Sequence, residues 1–547
     1  MAYAGYSKLR ALIVDDFDSF RMTVSKMLMD MGVSSIDTAG NGAEALRLCK
    51  ASSYDLILCD HNLGKGKTGQ QVLEDLRYHR ILDPLAVFIL ISAESSRSIV
   101  MAAYDYEPDE YLTKPVTTRS LQRRLDRLMA RREKLGPIHR AIKAGEIDTA
   151  VALCRKEMEA QGRFAPQAQK ILGQVYLDQG DLEAAENLYR EALEQRPLDW
   201  AMLGMAEVKR AQGEPLSAQQ WLEETLQEHP LCMRAYDLQA ELCREQGARD
   251  RLQKVLRDAV EVSPLAIQRQ QRLAEVALEN HDLSTAALAY RKAVRLGENS
   301  VYDLPDVHLN LARTTASLFQ EDKTLAKQLS RDALRALGEY EQRFGKTPEL
   351  RAEGQMVEAQ IAAGQGDKRK AEQLLADAQE LMVDEAVVLG LDASLELVKS
   401  YRALGRFDEA ADLLKELVSV YGQSEADLEK IDRLLEEPVS EKNRQLVAEI
   451  NQRGIGHYEN AQYRDAIDCF DQALRKFPRH IGVRLNLAQA LLDKMGAEQT
   501  NETEVERLNE ILLFVSETIT PNHEQFRRFR QLQDLQKQSE RRLKTGA

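Results

Sequence analysis

Every run in this chain that reads as a β-strand falls before about residue 117. The runs are LRALIVDD (9–16), SSIDTAG (34–40), DLILCD (55–60), LAVFILIS (85–92) and DEYLTK (109–114). Helix-period segments separate them at roughly 18–31, 41–51, 69–79 and 95–104, and Thr117 onward supplies a fifth. Strands alternating with helices predict a doubly wound α/β unit around a five-stranded parallel sheet. Beyond residue 135 the Val/Ile-rich runs vanish, and Ala, Leu, Glu, Gln and Arg dominate at helical spacing. That second region is expected to be all-α.

The strand ends carry the chemistry. Ligands of an open parallel sheet bind at the carboxyl ends of the strands, where the strand order reverses. Asp15 and Asp16 end the first strand, Asp60 the third, Ser92 the fourth and Lys114 the fifth, so these residues should converge. Three clustered carboxylates repel one another and stay ionised together only if a cation satisfies them. Mg²⁺ is a hard ion that accepts carboxylate, carbonyl, water and phosphate oxygens. Lys114 offers a compact positive charge for a phosphoryl oxygen, and Ser92 offers a hydroxyl donor.

The order Asp15-Asp16, Asp60, Ser92, Lys114-Pro115, with Tyr111 three residues before the lysine and NGAEAL at 41–46, resembles the receiver domain of two-component response regulators, in particular the chemotaxis type. The resemblance covers residues 8 to about 130. It implies that Asp60 is the phosphoryl acceptor, and that Asp16, Asp60 and the backbone carbonyl of Asn62 surround Mg²⁺ while Asp15 acts through a metal-bound water. It further implies that Lys114 holds the phosphoryl group and that Ser92 and Tyr111 form the switch pair. Asn62 and Glu94, each two residues beyond a pocket residue, would tune a short-lived aspartyl phosphate. His61 is expected to be an exposed neighbour without a chemical role. Many receivers have a proline-containing turn after the acceptor; here the loop reads NLGKGKTG, with Lys65 and Lys67 bringing positive charge near the pocket. A flexible solvated loop is the plain reading, and kinase docking or tuning of the phosphoryl lifetime the functional one.

The second region repeats. In QKILGQVYLDQGDLEAAENLYREALEQRP (169–197), Gly173 and Ala185 are small where two helices must approach, Tyr189 fills the space between them, Gly180 permits the turn and Pro197 ends the second helix. Pro197, Pro230 and Pro264 recur with a period of 33 to 34 residues. The register extends through Ala286/Tyr290/Ala293 without a proline, slips near 300–350 and 425–446, and returns at Ala371, Ala410 and Ala466. This pattern is similar to the tetratricopeptide repeat, in which helix pairs stack into a superhelix and offer a surface to peptides or proteins. About ten helix pairs are expected over the array. The expected division is therefore a receiver at 1–130, an array at 131–520 and a basic C-terminal helix or cap at 521–547. Gln174, Arg210, Asn310 and Asn486 are candidate residues of the array surface, and 422–445 an irregular pair or a hinge.

TTRSLQRRLDRLMARREKLGP (117–137) sets Leu121, Leu125 and Leu128 on one face among seven basic residues. It reads as the last receiver helix with a wet basic face, or as a helix that continues towards the repeats. A net charge of −14 argues against a nucleic-acid binder. Six scattered cysteines suggest neither disulfides nor zinc, and no apolar run approaches the ~20 residues of a membrane span. No leader is read at the N-terminus, so a cytoplasmic protein without membrane insertion is expected. No helix-turn-helix, P-loop, H-E-x-x-H or G-x-S-x-G motif is present, so the repeats themselves would be the output.

The expected protein is a signalling adaptor, not an enzyme beyond phosphoryl uptake and slow autodephosphorylation. Its partners would be a histidine kinase or phosphotransfer protein, and an unidentified protein or peptide on the array. Two other readings stand beside it: a phosphorelay inhibitor or phosphate sink that grips a kinase or companion regulator through its repeats, and a constitutive assembly scaffold.

Overall fold

The computed structural model describes residues 5–94, 96, 101, 105–194, 196–497, 502–519, 521 and 523–545. They form two compact units, divided between Thr314 and Thr315.

The first unit opens with five parallel strands, β1 (Arg10–Val14), β2 (Ser35–Ala39), β3 (Leu56–Asp60), β4 (Val87–Ser92) and β5 (Glu110–Thr113), in the order β2-β1-β3-β4-β5. The register pairs Ala11 with Leu56 and Leu56 with Val87. All five expected strands are present, as are helices α1 (Asp18–Asp30), α2 (Gly42–Ala51) and α3 (Gly69–Tyr78). The helix expected over 95–104 lies largely outside the described residues.

Alternate strand residues feed two cores, one on each face of the sheet. Ala11, Ile13, Leu56, Leu58, Ile89 and Ile91 pack with Val24 and Leu28 of α1. Leu12, Val14, Ile57, Cys59, Phe88 and Leu90 pack with Ala45 of α2 and with Val72, Leu73 and Leu76 of α3. Burial on both faces is why these strands read as unbroken apolar runs. Asn41 caps α2 by accepting from the Glu44 N–H, and Thr68 starts α3 with a reciprocal capping box to Gln71.

The last receiver helix, α4, runs unbroken from Thr118 to Lys143 and carries Pro137 inside it. Leu121, Leu125, Leu128 and Met129 fill the sheet's core, while Leu135, Ile138 and Ala141 of the same helix pack with Ala150, Cys154, Ala168 and Leu172 of the first repeats. Each fully buried Leu contributes roughly 2 kcal/mol, so α4 is anchored in both cores. The expected boundary at residue 130 thus lies inside a continuous helix, which packs on the sheet as the first reading of 117–137 has it and continues into the repeats as the second has it. The basic face is not simply wet. Arg124 and Arg127 both pair with Glu110, Arg131 pairs with Asp109, and Arg132 reaches Asp55 at 2.6 Å.

Helix pairs follow. Tyr189 sits where a Cβ on Gly173 would stand 2.7 Å from its hydroxyl and one on Gly204 would overlap its ring. The glycines exist to admit that ring. Gly180 has φ +73°, the left-handed turn its position requires. The second unit repeats the device, since a Cβ on Gly454 would stand 2.6 Å from the Phe470 ring.

Of the candidate surface residues, Arg210 bridges to Glu241 of the next repeat at 3.0 Å, and Asn310 is 3.5 Å from the Tyr290 hydroxyl. Asn486 donates to Asn451 at 2.7 Å and accepts from Arg528, and Gln174 donates to Asp178 on its own helix. The C-terminal helix Phe526–Thr545 buries Phe529 and Leu532 in the core built around helix Ile481–Ala497.

The 422–445 stretch is an irregular pair pinned by a buried acid. Asp432 ends the eight-residue helix Glu425–Asp432. It accepts from the Val439 N–H at 2.6 Å, the Asn443 side-chain amide at 2.9 Å, and the backbone N–H and hydroxyl of Ser440. Asp432→Ala leaves these donors unpaired and should cost about 3 kcal/mol, read as lost hydrogen-exchange protection over 433–459. Unchanged protection there would refute the pinning role.

Candidate functional site

The crevice forms at the carboxyl ends of β1 and β3, between which the strand order reverses. The strand ends present Asp15, buried, Asp16, exposed, and Asp60, buried, with one ligand atom from each within 4.8 Å of the others. An all-carboxylate set of this spacing suits a hard divalent cation. Lys114 leaves β5 beside it, with its ammonium 2.9 Å from Asp15 Oδ2, 3.1 Å from Asp60 Oδ2 and 4.2 Å from the Phe20 ring centre. The Phe17 N–H donates to the second Asp15 oxygen at 2.8 Å.

Burial pushes Asp60 up to about 6, with Lys114 opposing and the Asp15 charge adding to the rise. Burial also works against the Lys114 ammonium, but Asp15 and Asp60 outweigh it and hold its pKa above the ordinary value. Lys114 therefore remains the permanent countercharge of the pocket.

Ser92 is buried at the end of β4, and its hydroxyl accepts from the Glu94 N–H at 3.0 Å. Tyr111 donates its hydroxyl to the Glu94 carbonyl at 2.7 Å, and its ring is buried in the core on the α2/α3 face. The ring already occupies the inward position, because that carbonyl supplies the acceptor a buried phenol needs. Asn62 and Glu94 are both exposed at the mouth, and the Asn62 side chain accepts from the Gly64 N–H at 3.2 Å.

His61 departs from the expected exposed neighbour. It is half-buried, burial lowers its pKa, and its Nδ1 has no partner among the described residues. Its backbone links the loop on both sides, donating to the Ile91 carbonyl at 2.7 Å and accepting from the Gly69 N–H at 2.9 Å.

The loop after the acceptor is also tied down. Leu63 is buried, while Gly64 and Gly66 take φ +73° and +99°. Lys67 pairs with Asp75 at 2.7 Å and donates to the Asn299 carbonyl of the array. Gln71 donates to the Glu298 carbonyl at 2.8 Å. Glu74, buried, accepts from the Ser300 hydroxyl and from the Val301 N–H at 2.8 Å. Burial raises its pKa, and those bonds oppose the rise. Tyr78 packs edge-on against Tyr302 with 5.8 Å between ring centres. A second contact joins Asp105 to Ser263 and to Arg269, whose guanidinium also holds Asp237 at 2.8 Å.

These array residues were not foreseen. The available signals were the adjacent acids Glu74 and Asp75 on an otherwise core-facing helix, and the repeat register that loses its proline and slips near residue 300.

The comparisons agree with this geometry. The profile of the response regulator receiver domain matches residues 11–126. Tetratricopeptide repeat profiles match 138–200 and 451–497, 176–242, and 392–424. Chemotaxis protein CheY-3 of Vibrio cholerae is 32% identical over 123 residues, which is 22% of this chain and 93% of that protein. Chemotaxis protein CheY of Pseudomonas aeruginosa is 28% identical over 123 residues, 22% of this chain and 98% of its own length. The solved structure of CheY4 of Vibrio cholerae has 27% identity, covers 22% of this chain and 98% of that one, and gives a TM-score of 0.21. Among the described residues no helix is long and apolar enough to cross a membrane. Through residues 11–126 the chain belongs to the response regulator receiver family, and tetratricopeptide repeats make up much of the rest.

Proposed function

We propose that Asp60 accepts a phosphoryl group from a histidine kinase, a phosphotransfer protein or a small phosphodonor, and that its state controls what the repeat array binds. A carboxylate oxygen of Asp60 attacks the donor's phosphorus. The new O–P bond forms as the donor's bond to phosphorus breaks, its electron pair returning to the donor. Asp15, Asp16, Asp60 and the Asn62 carbonyl are the residues that would hold Mg²⁺, whose charge offsets that of the phosphoryl oxygens. Lys114 neutralises the remaining charge. Ser92 and Tyr111 report the change, with the Glu94 backbone between them as the exchangeable partner. Asn62 and Glu94, at the mouth, would set how readily water reaches the phosphoryl group.

The observation that carries the coupling is the grip of the array's 298–302 turn on the segment directly after the acceptor. Lys67, Gln71 and Glu74 all reach that turn, so a repacked acceptor loop changes bonds made by the array. Phosphorylation acts as a local change of charge and packing that biases a docked against a released arrangement. A released 298–302 turn and a freed α3 face would both be available to a protein partner.

Hydrogen exchange across the full chain, in Mg²⁺ with and without beryllofluoride as mimic of the aspartyl phosphate, tests this. Protection should change over 263–302 together with the receiver, and Glu74→Ala should loosen 298–302 even without the mimic. Changes confined to 1–130 would defeat the gating reading and favour the phosphate sink or the constitutive scaffold.

A further inference from the structure

The second unit contains three arginines, Arg402, Arg479 and Arg484, that the single charge of Glu436 only partly offsets among the described residues. Arg402 ends helix Leu391–Ala403, Arg479 lies in the turn before helix Ile481–Ala497, and Arg484 stands in that helix's first turn. Arg479 and Arg484 both lie over the Phe514 ring, 5.4 and 3.8 Å from its centre. Arg402 donates one nitrogen to the Leu434 carbonyl at 2.7 Å, and Arg484 donates to the Pro478 carbonyl at 2.9 Å. Neutral carbonyls and an aromatic face fix the geometry of these cations without cancelling their charge.

Two guanidinium edges are left over. Arg402 Nη1 and Arg479 Nε are buried without a hydrogen-bond partner among the described residues. The acids nearby are Glu436, whose charge reaches Arg402 and Arg479 and which also pairs with His523 at 3.4 Å, and Glu437, whose charge reaches His480. Burial, and then the charge of Arg479, hold the pKa values of Arg402 and Arg484 below the ordinary guanidinium value. An arginine does not give up its proton in a protein, so these cations stay charged while largely removed from water and beside a like charge. A buried donor without an acceptor is costly, and a planar fork beside a second cation matches the oxygens of phosphate or carboxylate.

We propose that Arg402, Arg479 and Arg484 form a binding site for an oxyanion, a phosphate or carboxylate group presented by a partner of the array. The site belongs to the second unit alone and does not depend on the receiver reading. All three side chains are only partly covered, so the group can enter from solvent once the covered Arg402 Nη1 and Arg479 Nε edges turn towards it. Its oxygens would meet the leftover N–H edges, and Phe514 would hold the planes in place.

The site makes two opposite demands on one side chain, which separates binding from mere packing. In the full-length protein without Mg²⁺, equilibrium dialysis with labelled inorganic phosphate and, separately, citrate should find one site per chain that Arg479→Gln weakens by about tenfold or more. In anion-free buffer the same substitution relieves repulsion and should leave the melting midpoint equal to or above that of the parent. Arg402→Gln, measured in the same way, should also lose the site. Preference for phosphate over citrate assigns a phosphoryl group, and the reverse preference a carboxylate. A parent protein that takes up neither anion, or variants that melt lower while binding is unchanged, would overturn the proposal.

Discussion

Asp60→Asn should abolish phosphoryl incorporation from a small acyl phosphate while leaving the receiver folded. Asparagine keeps the shape of the side chain but lacks the anionic oxygen that attacks phosphorus. It also removes one of the three carboxylates grouped within 4.8 Å, so the divalent-cation site is expected to weaken as well. The fold should persist because Asp60 is buried with a pKa already pushed up to about 6, meaning that the charged form gains little from the folded environment. Labelled phosphoryl should fall to background, and the beryllofluoride-dependent exchange change over 263–302 should disappear with it. Incorporation at the parent level would remove Asp60 from the role of acceptor.

Gly69→Ala should be the most damaging single change in the receiver that leaves its acids untouched. An added Cβ would overlap the Asp60 carbonyl oxygen and stand 2.9 Å from both the Asp60 carbonyl carbon and Cys59 Sγ. Backbone oxygen cannot step aside there, because the Gly69 N–H is already bonded to the His61 carbonyl at 2.9 Å. The strand end and the start of α3 must separate, at a cost of about 3 kcal/mol or more. Hydrogen exchange over 55–60 and the rate of phosphoryl incorporation read the two consequences. Gly66→Ala is the contrast, since nothing lies within 4 Å of its Cβ position and only φ +99° opposes it, for about 1 kcal/mol. Equal effects at the two glycines would show that the acceptor loop tolerates displacement of Asp60.

The legible part of the site was the part built from strand ends. Asp15, Asp60, Ser92 and Lys114 are placed by the carboxyl ends of parallel strands, and the strands announce themselves as apolar runs because both faces are buried. The tetratricopeptide spacing was legible for a similar reason, since Gly173, Gly204 and Tyr189 answer to contacts between sequential helices. His61 was misread because its half-burial comes from a neighbouring strand, through the bond to the Ile91 carbonyl. A run of polar residues such as NLGKGKTG looks like solvent-facing loop from any local window. One of its partners lies more than 220 residues away, with Lys67 bonded to the Asn299 carbonyl, and Glu74 of the helix that follows bonds Ser300.

The sequence by itself determined the two regimes, the pocket at the strand ends and the helix-pair repeat, because each follows from periodicity and nearest-neighbour packing along the chain. Only the tertiary structure decided that α4 belongs to both regimes, that the array turns back to hold the acceptor loop, and that Arg479 and Arg484 of the second unit meet over Phe514. Those contacts depend on how repeats accumulate into a superhelix. Small rotations at each helix pair add up over many residues, and no local pattern of residues records their sum.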